Sequence, residues 1–207
     1  MTALAQSVPR PRTIAFDAAL VVLGSLVVAG LAQVSIHFRF VPITGQTLGV
    51  LLVAAALGAA RGAAAIALYL AEGTVGLPVF AEGRSGVEFL LLRDPLHVTG
   101  GYLWGFVLAA AVVGVLAERG WDRRPGSALG AMFLGNVSIY LVGLPWLAAS
   151  LGIPVVDPAA SPCDLATASG CDALELGLYP FVVGDTVKLL LAAGALPAVW
   201  RLTRRRR

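Results

Sequence analysis

Long runs without a charged side chain alternate along this sequence with short clusters that hold nearly all of its charge. The first run, Ala18 to Ile36, is nineteen residues in which only Ser25, Gln33 and Ser35 are polar. An α-helix rises about 1.5 Å per residue, so roughly 20 residues cross the ~30 Å hydrocarbon core of a bilayer, and this run predicts a span. The second run, Phe40 to Ala60, opens with VPITGQT, whose Pro, Gly, Thr and Gln suit irregular backbone. Its helix is therefore expected to start near Thr47 and to be short. After Arg61, the stretch Gly62 to Ala71 predicts a third short helix, tightly paired with the second. The long connection Gly76 to Val98 mixes turn residues and charges with apolar FLLL and LPVF, which reads as a structured loop. Val98 to Ala117 predicts a fourth helix. Pro125 to Val156 predicts a fifth, too long for one perpendicular span and expected to bend or end at Pro145 or Pro154. The sixth, about Gly177 to Trp200, differs in carrying Asp185 and Lys188 inside its apolar run.

Composition turns this pattern into a class. Of 207 residues, 58% are hydrophobic and 13% charged, with a mean hydropathy of +0.85. A soluble domain carries roughly 25% charged residues, so the material for a water-facing surface is missing. The expectation is an all-α integral membrane protein of six transmembrane helices, helices two and three short, in a single membrane domain over residues 1–207. Six spans put both termini on one side. With the N-terminus inside, Arg10, Arg12, Arg61, Arg119, Arg123, Arg124, Arg201 and Arg204 to Arg207 all fall inside, against Arg39, Arg84 and Arg93 outside. The positive-inside rule then places both termini in the cytoplasm, with residues 1–15 and 201–207 as cytoplasmic tails and 157–176 as an outer loop. The first run is read as a retained span, its core being long for a cleaved signal. Basic clusters without a polar scaffold exclude a nucleic-acid binder.

The outer loop holds both cysteines, Cys163 and Cys171, as a disulfide or as two free thiols. No metal site follows from their spacing. The chain has no G-x-x-x-x-G-K-[ST] phosphate loop and no G-x-S-x-G nucleophile elbow, which argues against an ATPase and against a serine hydrolase. Asp185 and Lys188 are the informative pair: ionisable residues in a membrane helix cost on the order of 2.5–3.5 kcal/mol each, and i, i+3 spacing sets them on one face. They read either as an ion pair fixing helix packing or as the wall of an outward-open polar pocket, with Lys188 roughly 16 Å into the helix. Asn136 adds an amide at comparable depth, for the pocket or for an interhelical hydrogen bond. Thr44, Gln46 and Thr47 at the start of helix two, and Thr99 to Tyr102 at the start of helix four, offer further polar groups on the same side, either as caps or as ligand contacts. His37 and His97 are loop residues. Ser25 and Ala29, spaced by four on helix one, allow close helix approach, internally or to a partner.

VPITGQTLGVLL, GLPVFAEG, TGGYLWGF and PFVVGDTVKLLLA, in that order, resemble the biotin-specific substrate-binding component (BioY family) of energy-coupling factor transporters, across roughly Gly24 to Ala193. The resemblance implies a non-enzymatic six-helix protein of the bacterial plasma membrane. It would capture biotin at an outer-facing pocket and deliver it through a transmembrane coupling subunit and two ATPase subunits, with no cofactor of its own. It assigns ligand contacts to Asp185, Lys188, Thr44, Gln46 and Tyr102. Phe80 is expected to wall the biotin ring, with Trp104 left to lipid or core, and Asn136 is carried as a further contact. RDPLHVTGGYL departs from the family's PTGGYL, so Asp94 and His97 stand where a polar ligand contact is expected. Ser25 and Ala29 are the expected coupling contact. A sister component for another vitamin, an intramembrane enzyme using Asp185, and transport by a homo-oligomer are the alternatives.

Overall fold

The computed structural model describes residues 14–36, 41, 43–91, 97–157, 163–164 and 169–205. Asp94, Arg39 and His37 lie outside the described residues. The described residues are all-α apart from a minimal antiparallel pairing of β1 (Ser35–Ile36) with β2 (Ile43–Thr44) and an isolated bridge between Asp164 and Ser169. The helices are α1 (Ile14–Ala32), α2 (Gln46–Leu57), α3 (Ala59–Thr74), α4 (Glu88–Leu91), α5 (Gly100–Glu118), α6 (Pro125–Leu151), α7 (Ala173–Gly177) and α8 (Val182–Arg205). α1, α5, α6 and the stretch from α7 to α8 are long and apolar enough to cross a membrane. At 12 and 16 residues, α2 and α3 reach only ~18 and ~24 Å.

α2 and α3 are joined by Gly58 alone, at φ 85° and ψ 178°. A residue with a Cβ is strained there, so this glycine is what lets two short helices fold into a tight pair. Glu118 at the end of α5 accepts from the Ala59 amide at 3.0 Å, satisfying one of the open N–H groups at the start of α3. α5 and α6 form the most extensive helix contact, and α2 packs on α5. Apolar residues such as Val50, Leu51, Ile66, Val113, Met132 and Leu147 are fully enclosed between them. Val22, Leu26, Phe133, Leu141, Val183 and Leu190 point outward, giving the molecule the apolar belt expected against lipid chains.

Three boundaries differ from the sequence expectation. α6 runs unbroken through Pro145 and ends at Gly152, left-handed at φ 68°, before Pro154 is reached. The last apolar run is divided: α7 is closed at its start by a capping box between Asp172 and Glu175, and a 3₁₀ turn at Tyr179–Phe181 separates it from α8. Because α8 starts at Val182, Asp185 lies in its first turn and Lys188 only ~9 Å along it, which replaces the 16 Å depth expected from a start at Gly177. In the loop before α7, Cys163 and Cys171 form a disulfide, with Cα atoms 4.4 Å apart.

Candidate functional site

The starts of α2, α5 and α8 converge at one end of the bundle, around a cavity with about 710 Å³ of space free of protein atoms, its mouth included. Its polar lining is Thr44, Gln46, Thr47, Thr99, Arg84, Tyr140, Asp185 and Lys188. Phe80, Phe89, Phe106, Phe181 and Tyr102 supply apolar wall. Val41, Thr44, Gln46 and Thr47 thus turn this non-helical entry to α2 onto a cavity, where such backbone at membrane depth is tolerated.

Asp185 organises the polar floor. Its Oδ1 accepts from Lys188 Nζ at 3.0 Å, while its Oδ2 accepts from the Tyr140 hydroxyl at 2.6 Å and from Asn136 Nδ2 at 3.1 Å. Lys188 Nζ also donates to Thr47 Oγ1 at 3.0 Å. A carboxylate offers about four lone-pair directions and an ammonium three donors. Among the described residues three of the first and two of the second are used, which leaves one acceptor position and one N–H for a ligand. Two observations explain why an ionised pair is tolerated here. The side chains are 6% and 15% exposed, and every donor aimed at the carboxylate sits in the α6–α8 seam, so the charge is solvated by fixed hydrogen bonds. A carboxylate in the first turn of α8 also meets the positive end of that helix's dipole.

A second network holds the opposite wall. Thr44 Oγ1 donates to Gln46 Oε1 at 2.9 Å and accepts from the Gln46 amide at 3.2 Å, and Gln46 Nε2 donates to the Tyr69 hydroxyl at 2.6 Å. The roof is the segment 79–84, pinned from the end of α1 by Gln33: its Nε2 donates to Phe80 O at 3.2 Å and its Oε1 accepts from Gly83 N at 3.1 Å. This seats the tip of the Phe80 ring on Gly73, where an added Cβ would fall 2.1 Å from the ring's Cζ. Phe80 then stacks edge-on with Tyr69 and Phe89, at 5.6 and 6.0 Å between centroids. Tyr102 donates to Gly177 O at 3.0 Å and meets Tyr140 edge-on at 6.0 Å. Arg84, paired with Glu82, stands among the lining residues with its side chain 47% exposed.

Of the residues singled out in the sequence, the structure brings Asp185, Lys188, Thr44, Gln46, Tyr102 and Phe80 to this cavity. Asn136 reaches Asp185 from behind: it lines a separate groove between α6 and α8, so it supports the carboxylate and does not face the cavity. His97 is not among the lining residues. Its ring packs on Phe89 at 5.1 Å and its carbonyl accepts from Trp146. Trp104 is half exposed and donates to Leu90 O. Ser25 is fully buried against α3, donating to Glu72 Oε1 at 3.1 Å, and Ala29 packs on the core. The expected partner contact at Ser25 is corrected accordingly: this face of α1 serves internal packing, and its outward face is Val22, Leu23, Leu26 and Val27. Tyr140 and Arg84 were missed. Tyr140 was within reach of sequence reasoning, since it lies four residues after Asn136 on the same face of α6.

A bundle of membrane helices with an enclosed, mostly apolar pocket and a few convergent polar groups defines a membrane protein built to hold a small molecule. The chain belongs to the BioY family, whose sequence profile matches residues 4–205. It is 33% identical over 188 residues to the biotin transporter BioY of Rhizobium etli, covering 87% of each chain. To the biotin transporter BioY of Thermotoga maritima it is 37% identical over 169 residues, covering 82% of this chain and 86% of the relative. The fold also matches the crystal structure of the S-component for biotin from an ECF-type ABC transporter, with a TM-score of 0.64 at 20% identity, over 90% of this chain and 92% of that one.

Proposed function

We propose that this protein binds biotin and takes it up across the bacterial plasma membrane as the substrate-binding subunit of an energy-coupling factor transporter. The observation that carries the reading is the pair of unused valences on Asp185 and Lys188 at the floor of an aromatic-walled cavity. Biotin presents a ureido ring with two N–H donors and one carbonyl, an apolar thioether ring, and a carboxylate on a flexible tail. One ureido N–H fits the open lone pair of Asp185, and the carbonyl fits the third donor of Lys188. Phe80, Tyr102 and Phe181 cover the fused rings, and the tail leads toward Arg84, whose guanidinium suits a carboxylate. Thr44 and Gln46 complete the far side.

Membership of the BioY family, whose relatives are biotin transporters, supports reading the chain as a binding component and not an enzyme. The cavity end faces outward when the arginine-rich ends are placed in the cytoplasm, with α1, α2, α3, α5, α6 and α8 as six spans. Energy then comes from a coupling subunit with two ATPases, which must favour a conformation that holds biotin less well. The outward apolar face of α1 is available to that partner. Uptake of labelled biotin by a biotin-requiring bacterium tests the reading. Uptake should depend on this chain and be competed by unlabelled biotin but not by thiamine or riboflavin. Competition by another vitamin alone would assign the pocket to that vitamin.

A further inference from the structure

The end of the molecule opposite the cavity carries a second built concavity. It lies where α5 ends, α6 begins and α8 ends, spans about 1050 Å³ free of protein atoms with the open solvent at its mouth included, and is lined by Arg119, Arg123, Arg124 and Arg201 with Ser127 and Trp200. Four guanidinium groups gather there; of the nearby carboxylates among the described residues, Asp122 is buried and accepts from the Trp200 indole, and Glu118 accepts from the Ala59 amide. Arg123 lies over the Trp200 ring at 4.8 Å. Arg119, Arg124 and Arg201 are exposed, and among the described residues none of them has a carboxylate within ion-pair distance. The vitamin site does not use any of these side chains.

We propose that this pocket binds the phosphate of an anionic phospholipid. Guanidinium groups recognise phosphate by paired N–H donors and stay charged at every physiological pH. The occupant is a lipid because the pocket opens beside the apolar belt: Val115, Leu129, Val199 and Leu202, on the same ends of α5, α6 and α8, are all exposed. A headgroup in the pocket therefore has lipid-facing helix surface immediately next to it for its acyl chains. Trp121, 38% exposed at the same level, is placed like an interfacial anchor. Basic pockets between membrane helices are suited to phosphate headgroups, and each cation near the surface strengthens binding several-fold.

The test uses the full chain in detergent, followed by native mass spectrometry with added phosphatidylglycerol or phosphatidylcholine. The protein should retain phosphatidylglycerol in preference to phosphatidylcholine with a stoichiometry of one, and the triple variant Arg119→Gln, Arg124→Gln, Arg201→Gln should lose that preference by on the order of a hundredfold in affinity. Ser127→Phe, which fills the pocket with its charge intact, should lose it too. Ser127→Val serves if the larger side chain prevents folding, and an unchanged biotin Kd certifies that each variant is folded. Equal retention of both lipids, or retention by the triple variant, would overturn the proposal. Loss in the triple variant with full retention in the Ser127 variant would also overturn it, by reducing the effect to surface charge. Binding of sn-glycerol 3-phosphate or inorganic phosphate as tightly as the lipid would overturn the lipid assignment and leave a soluble-anion site.

Discussion

Removing the ammonium of Lys188 separates the two roles that an intramembrane ion pair can play. In Lys188→Met, Asp185 keeps its hydrogen bonds from Tyr140 and Asn136 but loses the ammonium it is paired with, its side chain being 6% exposed. Stripping one partner from a buried pair costs about 3–5 kcal/mol. Since the cavity opens onto the pair and Lys188 is 15% exposed, the lower part of that range applies, about 3 kcal/mol. Asp185→Asn leaves the ammonium with the Thr47 hydroxyl and a neutral amide, for a similar loss. The double variant has no unpaired charge and should recover all but about 1 kcal/mol, so the two losses are far from additive. Thermal unfolding of the four proteins in one detergent, followed by tryptophan fluorescence, measures the cycle, and biotin titration of the same samples measures binding. The expected pattern is stability rescued in the double variant with binding still absent. Additive losses would show that the charges are not coupled, and rescue of binding along with stability would reduce the pair to a packing device.

Other substitutions probe the surroundings of the pair. Gly73→Ala should dislodge the Phe80 ring and weaken biotin binding at least tenfold while costing about 1–3 kcal/mol of stability, readable by titration against melting temperature. Tyr140→Phe keeps the ring against Tyr102 but removes the shortest hydrogen bond to Asp185, and should cost about 1.5–3 kcal/mol, divided between stability and binding. Cys163→Ser with Cys171→Ser opens a loop of short sequence separation, so a stability loss of about 2–3 kcal/mol with biotin affinity nearly unchanged is expected in denaturation and binding assays. Burial raises the Asp122 carboxyl above its ordinary value of 3.8, partly offset by the Trp200 hydrogen bond. A raised carboxyl favours the folded state below the unfolded pKa and loses that contribution as pH rises through the folded pKa. Asp122→Asn, which stays neutral, should therefore gain melting temperature relative to the parent as pH rises above the ordinary carboxyl value; a difference that stays constant with pH would contradict it.

Local chemistry made much of this legible. Charge-free runs located α1, α5 and α6 because lipid admits only internally bonded backbone, and the two charges in the last run marked the floor of the site because they are costly anywhere else. The division of that run was also written in the chain: Asp172 and Glu175 have capping-box spacing and Pro180 stops a helix ahead of Asp185, yet hydropathy alone reads straight across them. What sequence could not supply was azimuth. α1 is apolar on all sides, so nothing in its letters shows that Ser25 turns to Glu72 on α3 while Val22 and Leu26 look outward. The Lys188–Thr47 bond joins residues 141 positions apart and exists only because α2 and α8 start at the same level. Asn136 shows the same limit: its depth was readable, but not that it approaches Asp185 from behind the cavity wall.

Equilibrium binding of biotin to the purified, folded chain bears most directly on the proposed function. Saturable binding at one site, with Asp185→Asn and Lys188→Met each weakening it by at least a hundredfold, is the predicted result. A well-folded protein that fails to bind biotin, or binds it equally well after both substitutions, would contradict it.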